Sequence, residues 1–254
     1  MVGEKIYNAF GNDFPLLIKF IDAKEALSIQ VHPNDELAKE RHNSFGKTEM
    51  WYVMQAEEEG NLIVGFNKNS SKEEYIKHLE EKTLLDILNV EKVKKGDVYF
   101  IPTGRIHAIG AGVLLAEIQQ TSDITYRVYD WDRVDDQGNS RELHTEMALD
   151  ANDYSAQDEY ATSYEKELNK ATQIVDCKYF TTNIIVVNGK VSKNNESIDS
   201  FVIYMCVDGE VTIKYAGERE EKIMNGETVL IPANLKEYEL RSDVNSELLE
   251  VYIK

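Results

Sequence analysis

Two segments of this chain, 130 residues apart, follow the same seven-residue pattern. Each begins with Gly and an acidic residue, continues as an apolar strand and ends at Pro: Gly96-Asp-Val-Tyr-Phe-Ile-Pro102 and Gly226-Glu-Thr-Val-Leu-Ile-Pro232. Gly beside an acidic residue is a turn signal, and Pro ends the strand because it cannot donate to a sheet ladder. Because each copy lies within a run of short strands, the repeat favours a duplicated β-barrel.

Short apolar runs separated by turn residues predict a mainly β protein. The runs at 16–21 and 27–31, split by a polar turn, predict a β-hairpin. Further strands are predicted at 49–55, 61–66, 97–101, 106–109, 114–119, 125–128, 180–188, 201–207, 210–215, 228–231 and 247–253. The polar, acidic segment 151–170 lacks periodicity and fits a connector between a domain at 1–150 and a second at 171–254.

Two helix starts interrupt the strands of the first half. Asn34 precedes a short helix with Asp35 and Glu36 in its first turn, where acidic side chains interact favourably with the helix dipole. Ser71-Lys-Glu-Glu is a capping box and predicts a helix, or a pair of helices, up to about residue 89. A small helical segment is therefore expected around 71–90.

Four potential metal ligands come from three separate segments of the first half. On a strand, Ser28, Gln30 and His32 share one face because side chains alternate. An amide, a carboxylate and two imidazoles make an N/O site that suits Zn²⁺ or Fe²⁺. The four candidates are Gln30, His32, Glu49 and His107. The second copy of the repeat is followed by Asn234 and Glu237 and by no histidine, so the metal site is expected only in the first.

The amino-acid composition restricts the kinds of molecule that the protein is expected to bind. The formal charge of −18 leaves no excess of cations to neutralise phosphates, which argues against nucleic acid. An anionic small substrate would need a local group of Lys and Arg side chains. Two free thiols in a reducing cytosol are the favoured reading of Cys177 and Cys206, and a disulfide between them stays open. No run reaches the roughly 18 apolar residues of a membrane span, and the start of the chain lacks a signal-peptide pattern, so we expect a cytoplasmic protein.

The ligand motifs resemble those of the cupin superfamily. Gly96-x₅-Pro102-x-Gly104-x₂-His107 fits its second motif, and Gln30-x-His32 with Glu49 fits a variant of its first. Four ordered stretches look more specifically like type I mannose-6-phosphate isomerase in its short bacterial form. They are Phe-Pro-Leu-Leu-Ile-Lys-Phe through Ser-Ile-Gln-Val-His-Pro, Gly-Lys-Thr-Glu-Met-Trp, Pro-Thr-Gly-Arg-Ile-His-Ala and Glu-Ile-Gln-Gln-Thr-Ser-Asp-Ile-Thr-Tyr-Arg-Val-Tyr-Asp-Trp. The resemblance is dense from about residue 14 to 150.

The resemblance implies two cupin-like β-barrels (jelly rolls), with the helical segment inserted in the first. It implies one zinc ion held by Gln30, His32, Glu49 and His107. The family's catalytic residues fall on Lys47, Glu117, Asp123 and Arg127, and its substrate contacts on Ser28, Lys47 and Arg127. From the residues alone, Asp123 could instead cap a turn with Ser122, and Arg127 could pair with Asp130 or Asp132. We interpret His42, His78 and His144 as surface or structural side chains.

The implied activity is a zinc-dependent interconversion of mannose 6-phosphate and fructose 6-phosphate through an enediolate. Glu117 is the first candidate for the general base, but the sequence does not decide between it, Lys47 and Asp123. Members of the family carry an additional N-terminal segment with a Trp-Gly-Gly run, whereas 13 residues precede Phe14 here. Two alternatives stay open: a non-catalytic sugar-phosphate-binding cupin and an Fe-dependent cupin oxygenase. The expected partner is a small sugar phosphate, with neither nucleic acid nor membrane, in a monomer or weak homodimer.

Overall fold

A computed structural model describes all 254 residues of the chain. The protein is mainly β, with 44% of its residues in strands and 14% in helices. The helices are α1 (Glu4–Phe10), α2 (Asp35–His42), α3 (Lys72–Glu80) and α4 (Thr145–Ala151), and a 3₁₀ turn spans Leu84–Ile87. The strands are β1 (Leu16–Ala23), β2 (Ile29–Val31), β3 (Glu49–Ala56), β4 (Asn61–Phe66), β5 (Leu88–Lys92), β6 (Val98–Ile101), β7 (His107–Ile109), β8 (Val113–Gln120), β9 (Tyr126–Tyr129), β10 (Ala171–Asp176), β11 (Thr181–Asn194), β12 (Val202–Asp208), β13 (Glu210–Tyr215), β14 (Arg219–Met224), β15 (Thr228–Ile231) and β16 (Glu237–Tyr252).

The chain divides into two compact units. One contains residues Leu16–Ala161, and the other combines Met1–Pro15 with Thr162–Lys254. The boundary after Ala161 lies within the segment expected to be a connector. Residues 1–15 group with the C-terminal unit, since backbone amides of Glu4 and Lys5 donate to the carboxylate of Asp199 and the ring of Phe14 lies 4.7 Å from that of Phe201.

The unit Leu16–Ala161 contains two open antiparallel sheets. The four-stranded sheet has the order β1-β8-β3-β6, and the five-stranded sheet has the order β5-β4-β7-β2-β9. Buried side chains from both sheets form one core cluster, including Trp51, Leu62, Ile109 and Leu115. The two sheets therefore pack face to face as a sandwich, and the strand pairing does not close either of them into the expected barrel.

Helices cover the other face of the five-stranded sheet. Alternate residues of its strands, such as Ile29 and Ala108, pack in a second core cluster with Tyr75 of α3 and Ala148 of α4. The predicted helix starts are confirmed. The side chain of Asn34 accepts a hydrogen bond from the Leu37 amide, and that of Ser71 accepts one from the Glu74 amide.

The predicted β-hairpin at 16–31 is wrong. β1 pairs along its whole length with β8, whereas β2 pairs with β7 and β9 in the other sheet. The polar segment between them is a crossing from one sheet to the other. Two apolar runs around a polar turn do not distinguish such a crossing from a turn within one sheet, because both need polar residues at the surface.

The second unit is built on one seven-stranded sheet. Its main path runs β10-β11-β16-β12-β15, and β13 pairs with both β14 and β16. β11 and β16 are long, with 14 and 16 residues, and their pairing shifts register between Val187 and Gly189. Cys206 is buried in this unit, Cys177 is partly buried, and both thiols are free. No helix in the chain is long and apolar enough to span a bilayer.

Candidate active site

Three buried side chains meet between the two sheets of the unit Leu16–Ala161. His107 begins β7, His32 directly follows β2, and Glu49 begins β3 in the opposite sheet. Their ligand atoms all lie within 4.8 Å of one another. Gln30 lies directly across from His107 in the β2–β7 pairing, and its amide nitrogen is 3.2 Å from Nε2 of His107. The structure thus brings together the four predicted metal ligands.

A close backbone approach places Glu49 beside His32. Gly46 has only a hydrogen where another residue has Cβ, and a Cβ there would meet backbone atoms of Asn34 and Asp35 at 2.8 Å and 2.7 Å. The Gly46 amide donates to the carboxylate of Asp35 at 3.0 Å. The segment before β3 can therefore lie against the segment after β2 only with glycine at this position.

Both histidines are oriented by backbone carbonyls. Nδ1 of His32 lies 2.9 Å from the carbonyl oxygen of Ile124, and Nδ1 of His107 lies 2.7 Å from that of Arg105. A carbonyl oxygen only accepts, so Nδ1 carries the proton in both rings. Each Nε2 therefore carries a lone pair, and it lies 3.6 Å from a carboxylate oxygen of Glu49 in His32 and 3.3 Å in His107. Metal-binding histidines in proteins are held in this way.

Burial keeps both histidines neutral. Burial, aided by the charge of Lys47, holds the pKa of His32 well below its ordinary value. Burial likewise lowers the pKa of His107 to about 4. Neutral imidazole is the form that binds a metal, so no proton has to leave these rings near neutral pH.

Glu49 is an incompletely satisfied buried carboxylate. It is fully buried, and neither of its carboxylate oxygens makes a hydrogen bond. Burial, reinforced by the charge of Glu117, raises the pKa of Glu49 to about 7. The ammonium of Lys47, 3.3 Å from one of the oxygens, compensates this buried charge only in part, because the pKa of Glu49 stays raised despite it. Two imidazole lone pairs and this carboxylate fit a divalent cation that accepts nitrogen and oxygen ligands.

Lys47 lies against the ligand cluster. Its side chain is buried, and Nζ is 3.2 Å from Nε2 of His32 and 3.3 Å from a carboxylate oxygen of Glu49. Glu117 lies on β8 and is also buried. Burial by itself raises the pKa of Glu117, but the positive charges of Lys47 and Lys19 outweigh it and leave this pKa below its ordinary value. The ammonium groups of Lys47 and Lys19 and the ionised carboxylate of Glu117 therefore lie beside the ligands.

The three remaining residues predicted to contact substrate or take part in catalysis lie at different positions relative to the metal ligands. Arg127 lies directly opposite Gln30 in the β2–β9 pairing; its Nη1 donates to the Glu142 carbonyl at 2.7 Å, and its buried Nε has no partner. Ser28 is buried immediately before β2. Asp123 is exposed in the loop between β8 and β9 and makes no hydrogen bond or ion pair with the cluster. The structure therefore does not bring Asp123 to the metal ligands.

The sequence interpretation missed Lys19 and Trp51 as site residues. Lys19 donates to the carboxylate of Glu117 at 2.8 Å, and the Trp51 indole donates to its other oxygen at 2.9 Å. Lys19 also donates to the side-chain oxygen of Gln119 at 2.5 Å. The available signal was a lone lysine inside the apolar run Leu16-Leu-Ile-Lys-Phe-Ile, because a charge on a buried strand requires a partner. His42, His78 and His144 lie outside the cluster.

The mainly β sandwich and the buried His–Glu–His cluster define a cupin-type enzyme with a candidate metal centre. Residues 1–74 match the family model for the phosphomannose isomerase type I catalytic domain, and residues 170–253 match that for the mannose-6-phosphate isomerase cupin domain. The chain belongs to the type I mannose-6-phosphate isomerase family.

Individual relatives agree with this assignment. Mannose-6-phosphate isomerase ManA of Bacillus subtilis is 36% identical over 91% of this chain and 73% of its own length. The enzyme of Streptococcus mutans is 35% identical over 92% of this chain and 75% of its own length. A crystal structure of the Bacillus subtilis isomerase superposes with a TM-score of 0.87 at 33% identity, covering 98% of this chain and 80% of that one. A phosphomannose isomerase from Salmonella typhimurium shares the fold, with a TM-score of 0.80 at 18% identity over 100% of this chain and 82% of its own.

Proposed function

We propose that this chain is a zinc-dependent isomerase that interconverts mannose 6-phosphate and fructose 6-phosphate through an enediolate. The observation that carries the proposal is the pair of imidazoles held by backbone carbonyls, with both Nε2 atoms close to the buried carboxylate of Glu49, at 3.6 Å and 3.3 Å. Family membership and the names of the bacterial relatives support the substrate pair.

His32, Glu49 and His107 would hold the zinc ion, with Gln30 as the fourth ligand. Turning the Gln30 amide about its last bond presents its oxygen where its nitrogen now faces His107. Zinc bound there supplies Lewis-acid stabilisation of negative charge that develops on the substrate oxygens. The glutamine ligand and the adjacent Lys47 favour a charge-stabilising role over oxygen chemistry, so the Fe-dependent oxygenase is the lesser alternative.

The other side chains of the site would have separate roles in binding and converting the sugar phosphate. Glu117 is the first candidate for moving the carbon-bound proton, because its carboxylate is ionised and fixed in orientation by two donors. Lys47 is placed to stabilise an enediolate oxygen or assist ring opening. Arg127 is our candidate for the phosphate group, since its planar guanidinium has an unpartnered Nε and matches phosphate oxygens. Ser28 would contact the substrate, and Asp123 would have to do so from the loop.

We extend the proposal to the organisation of the chain. The two units would be two cupin-like folds of jelly-roll type, with α3 and the following 3₁₀ turn inserted in the first and the only metal centre in that unit. We also place the enzyme in the cytoplasm, where the free thiols Cys177 and Cys206 would be stable in a reducing environment.

A coupled assay on the metal-loaded protein tests this function. Mannose 6-phosphate is supplied, and fructose 6-phosphate production is followed with and without prior chelation. The proposal expects turnover that chelation removes and one equivalent of Zn²⁺ restores. Tight binding of the sugar phosphate without turnover would favour the non-catalytic alternative, and consumption of O₂ by an iron-loaded sample would favour the oxygenase.

A further inference from the structure

The carboxylate of Glu117 accepts hydrogen bonds from side chains on both neighbouring strands. On one side Lys19 of β1 lies directly opposite Glu117 of β8, and its ammonium donates to one carboxylate oxygen at 2.8 Å. On the other side Trp51 of β3 lies directly opposite Glu117, and its indole donates to the second oxygen at 2.9 Å. The three residues form one rung across the four-stranded sheet, and both oxygens of the carboxylate are held.

Lys19 also links this rung to the metal ligands. Its ammonium donates to the side-chain oxygen of Gln119 at 2.5 Å, and Gln119 lies directly opposite Glu49 in the β3–β8 pairing. One ammonium group therefore bonds to two consecutive inward-facing side chains of β8, of which Gln119 also donates to the carbonyl oxygens of Gln120 and Ser122. Lys19 itself remains partly exposed, with 34% of its side-chain surface accessible.

The second unit contains a similar arrangement of three residues on neighbouring strands. Glu250 of β16 lies directly opposite Asn183 of β11 and Tyr204 of β12. Its carboxylate accepts from the Asn183 amide at 2.8 Å and from the Tyr204 hydroxyl at 2.7 Å. A glutamate held between an aromatic donor and a polar donor is thus common to the two units. In the unit with the metal ligands the residue directly opposite the glutamate is the cation Lys19, whereas in the second unit it is the neutral Asn183 and the cation that reaches Glu250 is Lys193, further along β11.

We propose that Lys19 is a positioning residue, whose ammonium holds the carboxylate of Glu117 in the orientation that faces the metal-ligand cluster. This inference rests on the proposed function for its effect on turnover. A carboxylate bound by one donor on each oxygen keeps acceptor capacity for substrate hydroxyl groups. Without Lys19, only the Trp51 indole holds the Glu117 carboxylate, and its placement relative to the reacting carbon is less well defined.

The variants Lys19→Met and Lys19→Arg test the inference. Lys19→Met keeps an unbranched side chain that is one atom shorter and removes the donor, and we expect kcat to fall about 10- to 100-fold, as for other partners that orient site residues. The zinc content and KM should change little. Lys19→Arg restores a cationic donor and should recover most of the lost kcat. The matched control is Lys193→Met, because Lys193 forms a 2.6 Å ion pair with Glu250 in the other unit. It should leave kcat and KM unchanged.

A double-mutant cycle shows whether Lys19 acts through Glu117. If it does, Lys19→Met costs nothing further in a Glu117→Gln background. If Lys19→Met lowers kcat by the same factor in the wild-type and the Glu117→Gln protein, the inference is overturned. An unchanged kcat in Lys19→Met would also overturn it. The crystal structure of Lys19→Met gives a readout that needs no turnover: Glu117 should adopt a new side-chain conformation. If the wild-type protein lacks turnover, the proposed function fails, while an unmoved Glu117 side chain in that crystal structure overturns the positioning role separately.

Discussion

Nε2 of His107 lies 3.3 Å from a carboxylate oxygen of Glu49, although the two residues come from different sheets and both are completely buried. The contact joins the inner faces of the four-stranded and five-stranded sheets at the polar end of their shared interior. Apolar side chains such as Trp51 and Leu115 fill the rest of that interior. Ligands placed on two rigid sheets need little rearrangement to bind a metal ion.

Removal of one histidine should remove the metal. In His107→Ala the cluster keeps one imidazole and one carboxylate, so we expect zinc content to fall well below one equivalent and turnover to fall more than about 100-fold. Metal analysis of the dialysed protein and the coupled assay measure both. The control is His78→Ala, since His78 bonds to Thr83 away from the cluster. Normal zinc content in His107→Ala would contradict the proposed ligand set.

Metal binding should stabilise the folded protein. A ligand that binds only the native state adds about 2.7 kcal/mol at a concentration 100 times its Kd. Differential scanning calorimetry with a chelator and with added Zn²⁺ should therefore show a higher Tm for the zinc form. In Glu49→Gln this difference should be much smaller, because the charged ligand is missing. An equal zinc-dependent shift in that variant would place the stabilising metal elsewhere.

Arg127 should act on substrate binding. Arg127→Lys keeps the positive charge but loses the planar fork, so KM for mannose 6-phosphate should rise about tenfold or more with unchanged zinc content. Steady-state kinetics measure the effect, and Arg219→Lys on an exposed strand of the other unit serves as the control. An unchanged KM would remove Arg127 from the phosphate site.

The sequence predicted most strands, both helix caps and the residues of the buried His–Glu–His cluster, because alternation, capping residues and ordered motifs are local signals. It did not predict that β1 and β2 belong to different sheets, since pairing partners are distant in the chain. Lys19 was missed for a related reason. Its partner Glu117 is 98 residues away, and only the register of β1 and β8 places the two side chains together. Asp123 was included through its place in a motif, and the structure leaves it exposed.

Because of Asp130, the unit Leu16–Ala161 should lose stability as the pH falls into the acid range. It is buried and bonded to the guanidinium groups of Arg133 and Arg141. Burial opposes ionisation, but these hydrogen bonds outweigh it and hold the pKa of Asp130 below its ordinary value. Stability from a lowered carboxyl pKa is fully present above the unfolded value of about 3.9 and is lost as pH falls through the folded value.

Asp130→Asn therefore should lower the free energy of unfolding by about 1–2 kcal/mol at pH 7. The difference from wild type should shrink below about pH 4, where the wild-type carboxyl also becomes protonated. Urea denaturation across this pH range measures it. A constant difference from pH 7 to pH 3 would show that the loss comes from packing and not from the charge.

The hydrogen bonds that join Tyr238, Tyr204 and Glu250 in the second unit should affect stability and not catalysis. The Tyr204 hydroxyl lies between Glu250 and the Tyr238 hydroxyl, at 2.7 Å and 2.9 Å. Tyr204→Phe removes a donor from the buried carboxylate, and we expect a loss of about 1–3 kcal/mol in the free energy of unfolding. The kcat should stay at the wild-type value. A selective loss of kcat in a fully folded variant would assign this unit a part in the reaction.

The most direct test of the metal centre is anomalous diffraction from zinc-loaded crystals, recorded above and below the zinc absorption edge. The account predicts one strong peak per chain, about 2.0–2.1 Å from Nε2 of both His32 and His107 and about 2.0–2.2 Å from a carboxylate oxygen of Glu49. A peak at another site, or none between these three side chains in crystals of the active protein, would contradict it.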